Sequence, residues 1–192
     1  MKKLFPGILL TLGLLLIIPD HAAGQDPLTP EELLSLKSVS AVQLSPNGNE
    51  IIYSVSSPRG PNEKPGGASR QYFRATIPRL IPSPLFENLP GAGSPAYSPD
   101  GKYIGFLYAK KDEPRQVWMM KATGGEIKKL TNEASGISQF KWQPGKRGIA
   151  YLTREITTDR ENELKKRGYD FIFYEENLKN SHLYLASYDE DW

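Results

Sequence analysis

The chain has 192 residues, with 24 lysines and arginines against 22 aspartates and glutamates, so its formal net charge is only +2. Because no basic patch is interleaved with aromatic residues, we expect no nucleic acid partner. The sequence contains no cysteine, which excludes disulfides, thiolate metal sites, a cysteine nucleophile and a lipoprotein anchor.

The N-terminus has the pattern of a cleaved secretory signal, and residues 1–24 are predicted to be a signal peptide. Two lysines are followed by an apolar run over 9–18 and by small residues up to Gly24. The run is too short to span a bilayer, so we predict cleavage between Gly24 and Gln25. An uncleaved anchor is the alternative. After cleavage the protein is predicted to be periplasmic or secreted and free of the membrane.

A short helix is predicted in the lead-in segment, residues 25–38. Thr29 can cap a helix that starts at Pro30, and Glu32 three residues later completes a capping box. Leucines give this helix one apolar side. We interpret it as a surface helix with no role beyond packing.

A turn followed by an apolar strand occurs three times along the chain. The turns are Ser-Pro-Asn-Gly at 45–48, Ser-Pro-Asp-Gly at 98–101 and Gln-Pro-Gly-Lys at 143–146. A short strand precedes each turn, and the strand after it alternates in polarity. The spacing fits the roughly 40–50 residues of a four-stranded propeller blade. A β-meander or sandwich with chance similarity between the turns is the alternative.

The central copy, residues 98–131, shows the pattern most clearly. It predicts strands over 102–109, 116–122 and 127–131, joined by a charged hairpin loop and a Gly-Gly turn. Both sides of the strand at 102–109 are apolar, so we expect it to be buried on both faces. Three strands cannot bury two faces alone, so similar neighbours are needed.

The outer two copies depart from this pattern. A loop is predicted over 57–69, a strand over 71–77, and then a proline-rich stretch without a Gly-Gly turn. The first blade is therefore predicted to be degenerate or interrupted. After the third copy, residues 155–180 are predicted to be an insertion with a polar helix, for which Thr158 and Glu161 offer a capping box and Glu161–Lys165 and Glu163–Arg167 are i,i+4 pairs. The strand at 182–186 then resumes the blade pattern.

The predicted fold class is all-β. We expect a partial β-propeller, about three blades of antiparallel strands within 39–192, with a short N-terminal helix and a helical insertion. A closed ring needs roughly four to eight blades. The chain is therefore predicted to contain an incomplete propeller.

These motifs resemble the propeller blades of prolyl-oligopeptidase-family serine peptidases. The residues concerned are S-P-D-G-K-x-I-x-F at 98–106 and V-W-x-M-x-A-x-G-G-E-x-x-x-L-T at 117–131. Periplasmic TolB-type propellers share the blade pattern. The lead-in at 27–46 favours the peptidases, because it is similar to the start of the mature chain in secreted acylaminoacyl-peptidase-like and dipeptidyl-peptidase-like members.

The resemblance implies a propeller that covers an α/β-hydrolase domain and limits entry to short peptides. Peptide hydrolysis would use a serine in a Gly-x-Ser-x-Gly turn and an acyl-enzyme. This sequence lacks that motif, and its nearest match, at 136–138, has no second glycine. In the family the hydrolase domain follows the propeller. No catalytic residue, metal or cofactor is therefore predicted here, and the chain is expected to be inactive alone.

A pair of carboxylates, Glu175 and Glu176, is the one weak candidate for substrate binding. Dipeptidyl-peptidase members hold a peptide's free N-terminus with two propeller glutamates, because paired carboxylates attract an ammonium. The residues after the pair do not match that subfamily, so a solvated loop is the alternative. His182 lies in a predicted strand and is interpreted as a buried or rim residue, not a base.

Three hypotheses follow. The leading one is an N-terminal propeller fragment of an exported serine peptidase, which meets peptide substrates only through the complete enzyme with its missing C-terminal hydrolase domain. The second is a non-catalytic periplasmic TolB-like propeller that acts as a protein-binding module. The third is a decayed or naturally short product whose unpaired blade edges prevent it from folding alone.

Overall fold

The computed structural model describes residues 28–60, 62–169 and 178–189. The chain divides into two compact units, residues 1–34 and 35–192. The helix α1 (Pro30–Ser35) follows the predicted cap. The Thr29 hydroxyl accepts a 3.2 Å hydrogen bond from the Glu32 N–H, and the Glu32 carboxylate accepts a 2.8 Å bond from the Thr29 N–H. The predicted capping box is thus confirmed.

The second unit consists mainly of three antiparallel sheets, each built from consecutive strands. The first sheet contains β1 (Ser38–Leu44), β2 (Glu50–Ser57), β3 (Ser69–Thr76) and β4 (Pro82–Pro84). The second sheet contains β5 (Gly93–Tyr97), β6 (Tyr103–Tyr108), β7 (Gln116–Lys121) and β8 (Ile127–Lys129). The third contains β9 (Ile137–Trp142), β10 (Gly148–Arg154) and β11 (Ser181–Ser187), with α2 (Asp159–Lys166) between the last two strands.

The first sheet corrects one prediction, because it has four strands and is not interrupted. The short strand β4 pairs antiparallel with β3, with Ser83 opposite Arg74. Two of the three residues of β4 are prolines, which cannot donate to a ladder. On the outermost strand this costs little, since one side of that strand has no neighbour. Proline content therefore does not exclude a strand at this place.

The repeated turns share one hydrogen-bond arrangement. The buried Ser98 hydroxyl accepts a 2.9 Å bond from the Tyr103 N–H and lies 2.6 Å from a carboxylate oxygen of Asp100, to which it donates. The same two bonds, at 2.9 and 2.7 Å, form at Ser45, with Asn47 in the place of Asp100. The recurring Ser-Pro sequence therefore marks the same local structure in the first two sheets.

The first and second sheets pack face to face through a common apolar cluster. Its members are Ile52 from the first sheet and Tyr97, Ile104, Phe106, Trp118 and Met120 from the second. Two polar contacts cross the same junction. The Arg74 guanidinium donates to the Ala122 carbonyl, and the Tyr97 phenol donates to the Glu50 carboxylate at 3.2 Å.

The second and third sheets pack through another cluster on the opposite face of the second sheet. Its members are Leu107, Val117, Ile137, Phe140, Ile149 and Tyr151. At this junction Gly105 lies against two aromatic rings. A Cβ at this position would be 2.7 Å from the Trp142 ring and 2.9 Å from that of Phe140. The second sheet is therefore buried on both faces, which confirms the prediction for residues 102–109.

Candidate functional site

The loops lie at two opposite edges of the three sheets, namely at the two ends of the strands, because successive strands run antiparallel. Five-residue turns join the first strand of each sheet to the second, and five-residue turns also precede β4 and β8. The connections from second to third strand leave and re-enter the sheets at the opposite edge, and their described residues are 58–60, 62–68, 109–115, 155–169 and 178–180. We call these three connections the long-loop edge. Loops on a rigid scaffold are where binding groups concentrate, so this edge is the candidate site.

The insertion at 155–180 leaves the third sheet through a hydrogen-bonded neck. The Glu155 N–H donates to the Asn180 carbonyl at 3.0 Å, and the Asn180 N–H donates back to the Glu155 carboxylate at 3.3 Å. Nε2 of His182 lies 3.1 Å from the same carboxylate. Hydrogen bonds from His182 and Asn180 hold the pKa of Glu155 below its usual range. The two ends of the insertion are thus joined where they leave the sheet.

An ion pair extends the neck to the first turn of α2. The Lys179 ammonium lies 2.7 Å from both carboxylate oxygens of Glu161 and donates to the Ile156 carbonyl at 3.2 Å. Glu161 also completes the capping box with Thr158 that the sequence predicts. The bond from Lys179, followed by those from Thr158, lowers the pKa of Glu161 to about 2.

The pairing of Glu161 differs from the sequence prediction. An i,i+4 pair between Glu161 and Lys165 was expected on the surface of α2. Lys179 bonds the carboxylate instead, because the chain after the insertion returns beside the helix N-terminus. The second predicted pair, Glu163 with Arg167, does form at 2.5 Å.

A polar cleft of about 520 Å³ lies at the long-loop edge between the second and third sheets. Its lining comes from the loop before β7, from the connection between the second and third sheets, from the start of β9 and from the strand ends at the neck. The lining residues are Pro114, Arg115, Ser135, Gly136, Ile137, Ser138, Arg154 and Ser181. Two arginines and three serines therefore line one space, and none of the described lining residues is acidic.

The residues singled out from the sequence lie partly at this edge. The carboxylate pair Glu175 and Glu176 and the predicted cleavage point, Gly24 and Gln25, lie outside the described residues. His182 is an exposed residue of the neck. Among the described ranges, no group of three or more histidine, aspartate or glutamate side chains could hold a metal ion.

The nearest match to a nucleophile motif, at 136–138, does not form a strand-to-helix turn. Ser138 lies within β9, and its hydroxyl donates to the Leu152 carbonyl at 3.2 Å. Gly136 precedes the strand with a positive φ of 76°. The serine therefore acts as a strand residue bonded to backbone.

In the parts of the chain that the structure describes, no helix is long and apolar enough to cross a membrane.

Sequence comparisons relate the chain to two peptidases, and no family model matches it. It is 28% identical over 182 residues to dipeptidyl-peptidase 5 of Porphyromonas endodontalis, which covers 88% of this chain and 25% of that protein. It is 27% identical over 118 residues to the peptidase YuxL of Bacillus subtilis, which covers 61% of this chain and 17% of that protein. The chain therefore spans a quarter or less of the length of these relatives.

The fold is similar to that of a solved peptidase. The acylaminoacyl peptidase of Pyrococcus horikoshii matches with a TM-score of 0.57 and 15% identity, over 79% of this chain and 24% of that chain. The predicted all-β, partial propeller fold is confirmed, although no closed ring is formed by the described residues. The sequence and fold comparisons also confirm the resemblance: the chain is consistent with the N-terminal propeller part of a prolyl-oligopeptidase-family peptidase.

Proposed function

We propose that the chain is the first part of the propeller of an exported serine peptidase. In this proposal the propeller restricts access of peptides to an α/β-hydrolase domain that these 192 residues do not contain. The names of the two sequence relatives support a role in peptide hydrolysis. The observation that carries the proposal is that leucine side chains are exposed on the face of the third sheet that points away from the second sheet.

The three strands of the third sheet follow the same register as the first three strands of the second sheet. The turn bond from Ser98 to Tyr103 in the second sheet corresponds to the bond from Gln143 to Gly148 in the third. Counting from these bonds, Leu152 is equivalent to Leu107. The pairing register then makes the partner of Leu152, which is Leu183, equivalent to the partner of Leu107, which is Val117. By the same register, Leu185 is equivalent to Met119.

Equivalent positions in the two sheets differ sharply in exposure. Val117 and Met119 are 0% and 1% exposed, because the third sheet covers them. Leu183 and Leu185 are 68% and 69% exposed. Burial of a leucine side chain contributes about 1.5–3 kcal/mol to the free energy of folding or association. A face with leucines at the positions that bind a neighbouring sheet is suited to another sheet of the same kind.

The first sheet, at the other end of the three sheets, also carries apolar side chains on its open face. Ile51 and Tyr53 of the first sheet are equivalent to Ile104 and Phe106 of the second, which are both 0% exposed. In the first sheet these positions are only half-buried. The Tyr53 ring stacks on its cross-strand partner Phe73, with the centroids 5.7 Å apart. Both ends of the row therefore carry apolar groups where a closed ring would have further blades.

The first test is to read the coding sequence beyond the codon for Trp192. We expect further Ser-Pro-Asp-Gly turns and then a Gly-x-Ser-x-Gly motif. The product of the complete frame should react with a fluorophosphonate and cleave short peptides, and the 192-residue chain should do neither. A stop codon directly after Trp192 would overturn the peptidase proposal. Further blades without a hydrolase would favour the non-catalytic binding module.

A matched pair of variants tests the role of the open face. Leu183→Asp should lower the melting temperature of the complete protein and leave that of the 192-residue chain nearly unchanged. The control is Leu80→Asp, since Leu80 is 56% exposed in a turn and lies on no sheet face. Equal melting temperatures for the complete protein with and without Leu183→Asp would contradict the proposed packing.

A further inference from the structure

We propose that the cleft between the second and third sheets binds a carboxylate group, supplied by a peptide. The identification of the ligand as a peptide rests on the proposed function, whereas recognition of the carboxylate rests on the cleft itself. Two arginines, Arg115 and Arg154, line this space, and both are exposed to solvent. Neither forms an ion pair with any described residue.

Arg115 is held in place without using its terminal nitrogens. Its Nε donates to the Ile137 carbonyl at 3.0 Å, and its backbone carbonyl accepts the Ile137 N–H at 2.7 Å. Gly136 allows this close approach, because a Cβ there would lie only 3.2 Å from the backbone nitrogen of Arg115. The guanidinium is thus fixed through Nε, and its two NH₂ groups remain available to a ligand.

Arg154 lines the cleft from the end of β10. Its residue partner in β11 is Ser181, which also lines the cleft. The Arg154 carbonyl accepts a hydrogen bond from the Ser135 hydroxyl, which fixes the backbone at this point. The neck begins at the next residue, Glu155, whose carboxylate is already bonded to Asn180 and His182. The nearest acidic side chain along the chain is therefore engaged elsewhere.

A guanidinium group matches a carboxylate in charge and in geometry. A guanidinium presents parallel N–H groups that can bond both oxygens of one carboxylate. It also stays protonated at every pH at which a protein is folded. A peptide can offer this group as its C-terminus or as an aspartate or glutamate side chain, and the structure favours neither source. The experiment below separates them.

The test is isothermal titration calorimetry with the purified chain and three acetylated peptides. Tetra-alanine with a free C-terminus offers only the terminal carboxylate, and an amidated peptide with one aspartate offers only a side-chain carboxylate. Amidated tetra-alanine offers none. We expect at least one of the first two to bind about tenfold or more tightly than the third, as loss of a charge-assisted hydrogen bond implies. Binding should weaken below about pH 4, where the carboxylate is protonated.

Variants assign the binding to the two arginines. Arg115→Gln and Arg154→Gln should each weaken binding about tenfold. Arg115→Lys keeps the charge but loses the forked donors, so it should bind between the wild type and Arg115→Gln. The matched control is Arg79→Gln, since Arg79 lies in the turn before β4, at the opposite edge. If Arg115→Gln does not fold, Arg154→Gln gives an independent answer, because no described side-chain bond depends on it.

Equal affinity for all three peptides would overturn the proposal, and so would arginine variants that bind as the wild type does. Weakening by Arg79→Gln to the same degree would reduce the effect to general charge attraction and would also overturn it. None of these readouts needs hydrolysis. A negative result leaves the propeller assignment intact, because that rests on the leucine faces, and a stop codon after Trp192 leaves this test unchanged.

Discussion

The Tyr151 phenol donates a 2.6 Å hydrogen bond to the Glu133 carboxylate and so connects the third sheet to the chain that leaves the second. The junction between the first and second sheets has a counterpart, the bond from Tyr97 to Glu50. Burial and then the hydrogen bond and charge of Glu133 raise the pKa of Tyr151 to about 12. Burial and the Glu50 charge also raise the pKa of Tyr97. Each junction therefore depends on a neutral phenol.

We predict that the free energy of unfolding falls in the alkaline range because of these tyrosines. The pKa of Tyr151 is about 10 when unfolded and about 12 when folded. Its contribution is fully present below pH 10 and is lost as the pH rises towards 12, because the unfolded chain then ionises first. Tyr151→Phe should make urea unfolding less dependent on pH between 10 and 12.

The control for this prediction is Tyr169→Phe, since Tyr169 is 61% exposed. That variant should keep the pH dependence of the wild type. At neutral pH, Tyr151→Phe should lower the free energy of unfolding by about 1–3 kcal/mol, because it leaves the Glu133 carboxylate without its phenol partner. An unchanged alkaline slope in Tyr151→Phe would show that the phenol does not control it.

Gly105 is predicted to tolerate no side chain. Gly105→Ala would place a Cβ 2.7 Å from the Trp142 ring, within a packed junction. We expect a loss of about 1–3 kcal/mol in the free energy of unfolding, measured in urea. The matched control is Gly67→Ala, since a Cβ at Gly67 meets nothing within 4 Å. The control should be neutral or slightly stabilising, and a stable Gly105→Ala would contradict the packing described.

The buried hydroxyl of Ser98 is predicted to stabilise its turn. Ser98→Ala removes the acceptor for the Tyr103 N–H and the donor to Asp100, so we expect a loss of about 1–3 kcal/mol. Burial opposes ionisation of Asp100, but the bonds from Ser98 and the Lys102 N–H hold its pKa below the usual range. In Ser98→Ala this pKa should rise, which NMR titration would detect. Ser187→Ala, at an exposed residue of β11, is the control.

The neck of the insertion is predicted to depend on Lys179. Lys179→Ala should speed hydrogen exchange at the amides of α2, because the helix loses its tie to the returning chain. Lys165→Ala is the control, since Lys165 lies on α2 but does not bond Glu161. The pKa of Glu161 is lowered to about 2, so the pair should persist at pH 4 and be lost as the pH falls towards 2. Equal exchange in both variants would contradict this.

Local patterns in the sequence predict much of the fold. The Ser-Pro turns are closed by bonds within five residues of Ser45 and Ser98, so a short stretch determines them. Alternating apolar residues identify the strands that follow. The strand β4 was missed because its prolines argue against a strand, and only the ladder with β3 shows that the position is outermost.

The candidate site could not be predicted in the same way. Arg115 and Arg154 are far apart in the sequence and belong to no motif, and only the packing of two sheets brings them to one cleft. Lys179 replaced the expected partner of Glu161 for a similar reason, because the chain returns to the helix N-terminus after the insertion. In both cases the residues that come together are distant in the chain, and periodicity and spacing do not encode such proximity.

Each sheet is built from consecutive strands, so among the described residues every ladder joins strands of the same sheet. A cut in the connection at 85–92 or at 130–136 would therefore separate no pair of neighbouring strands, and contacts between the sheets would hold the pieces together. The same arrangement lets a chain that emerges from its N-terminus finish one sheet before the next has appeared. Assembly can therefore proceed in the order of synthesis, with each completed sheet offering an apolar face as a template for the one that follows.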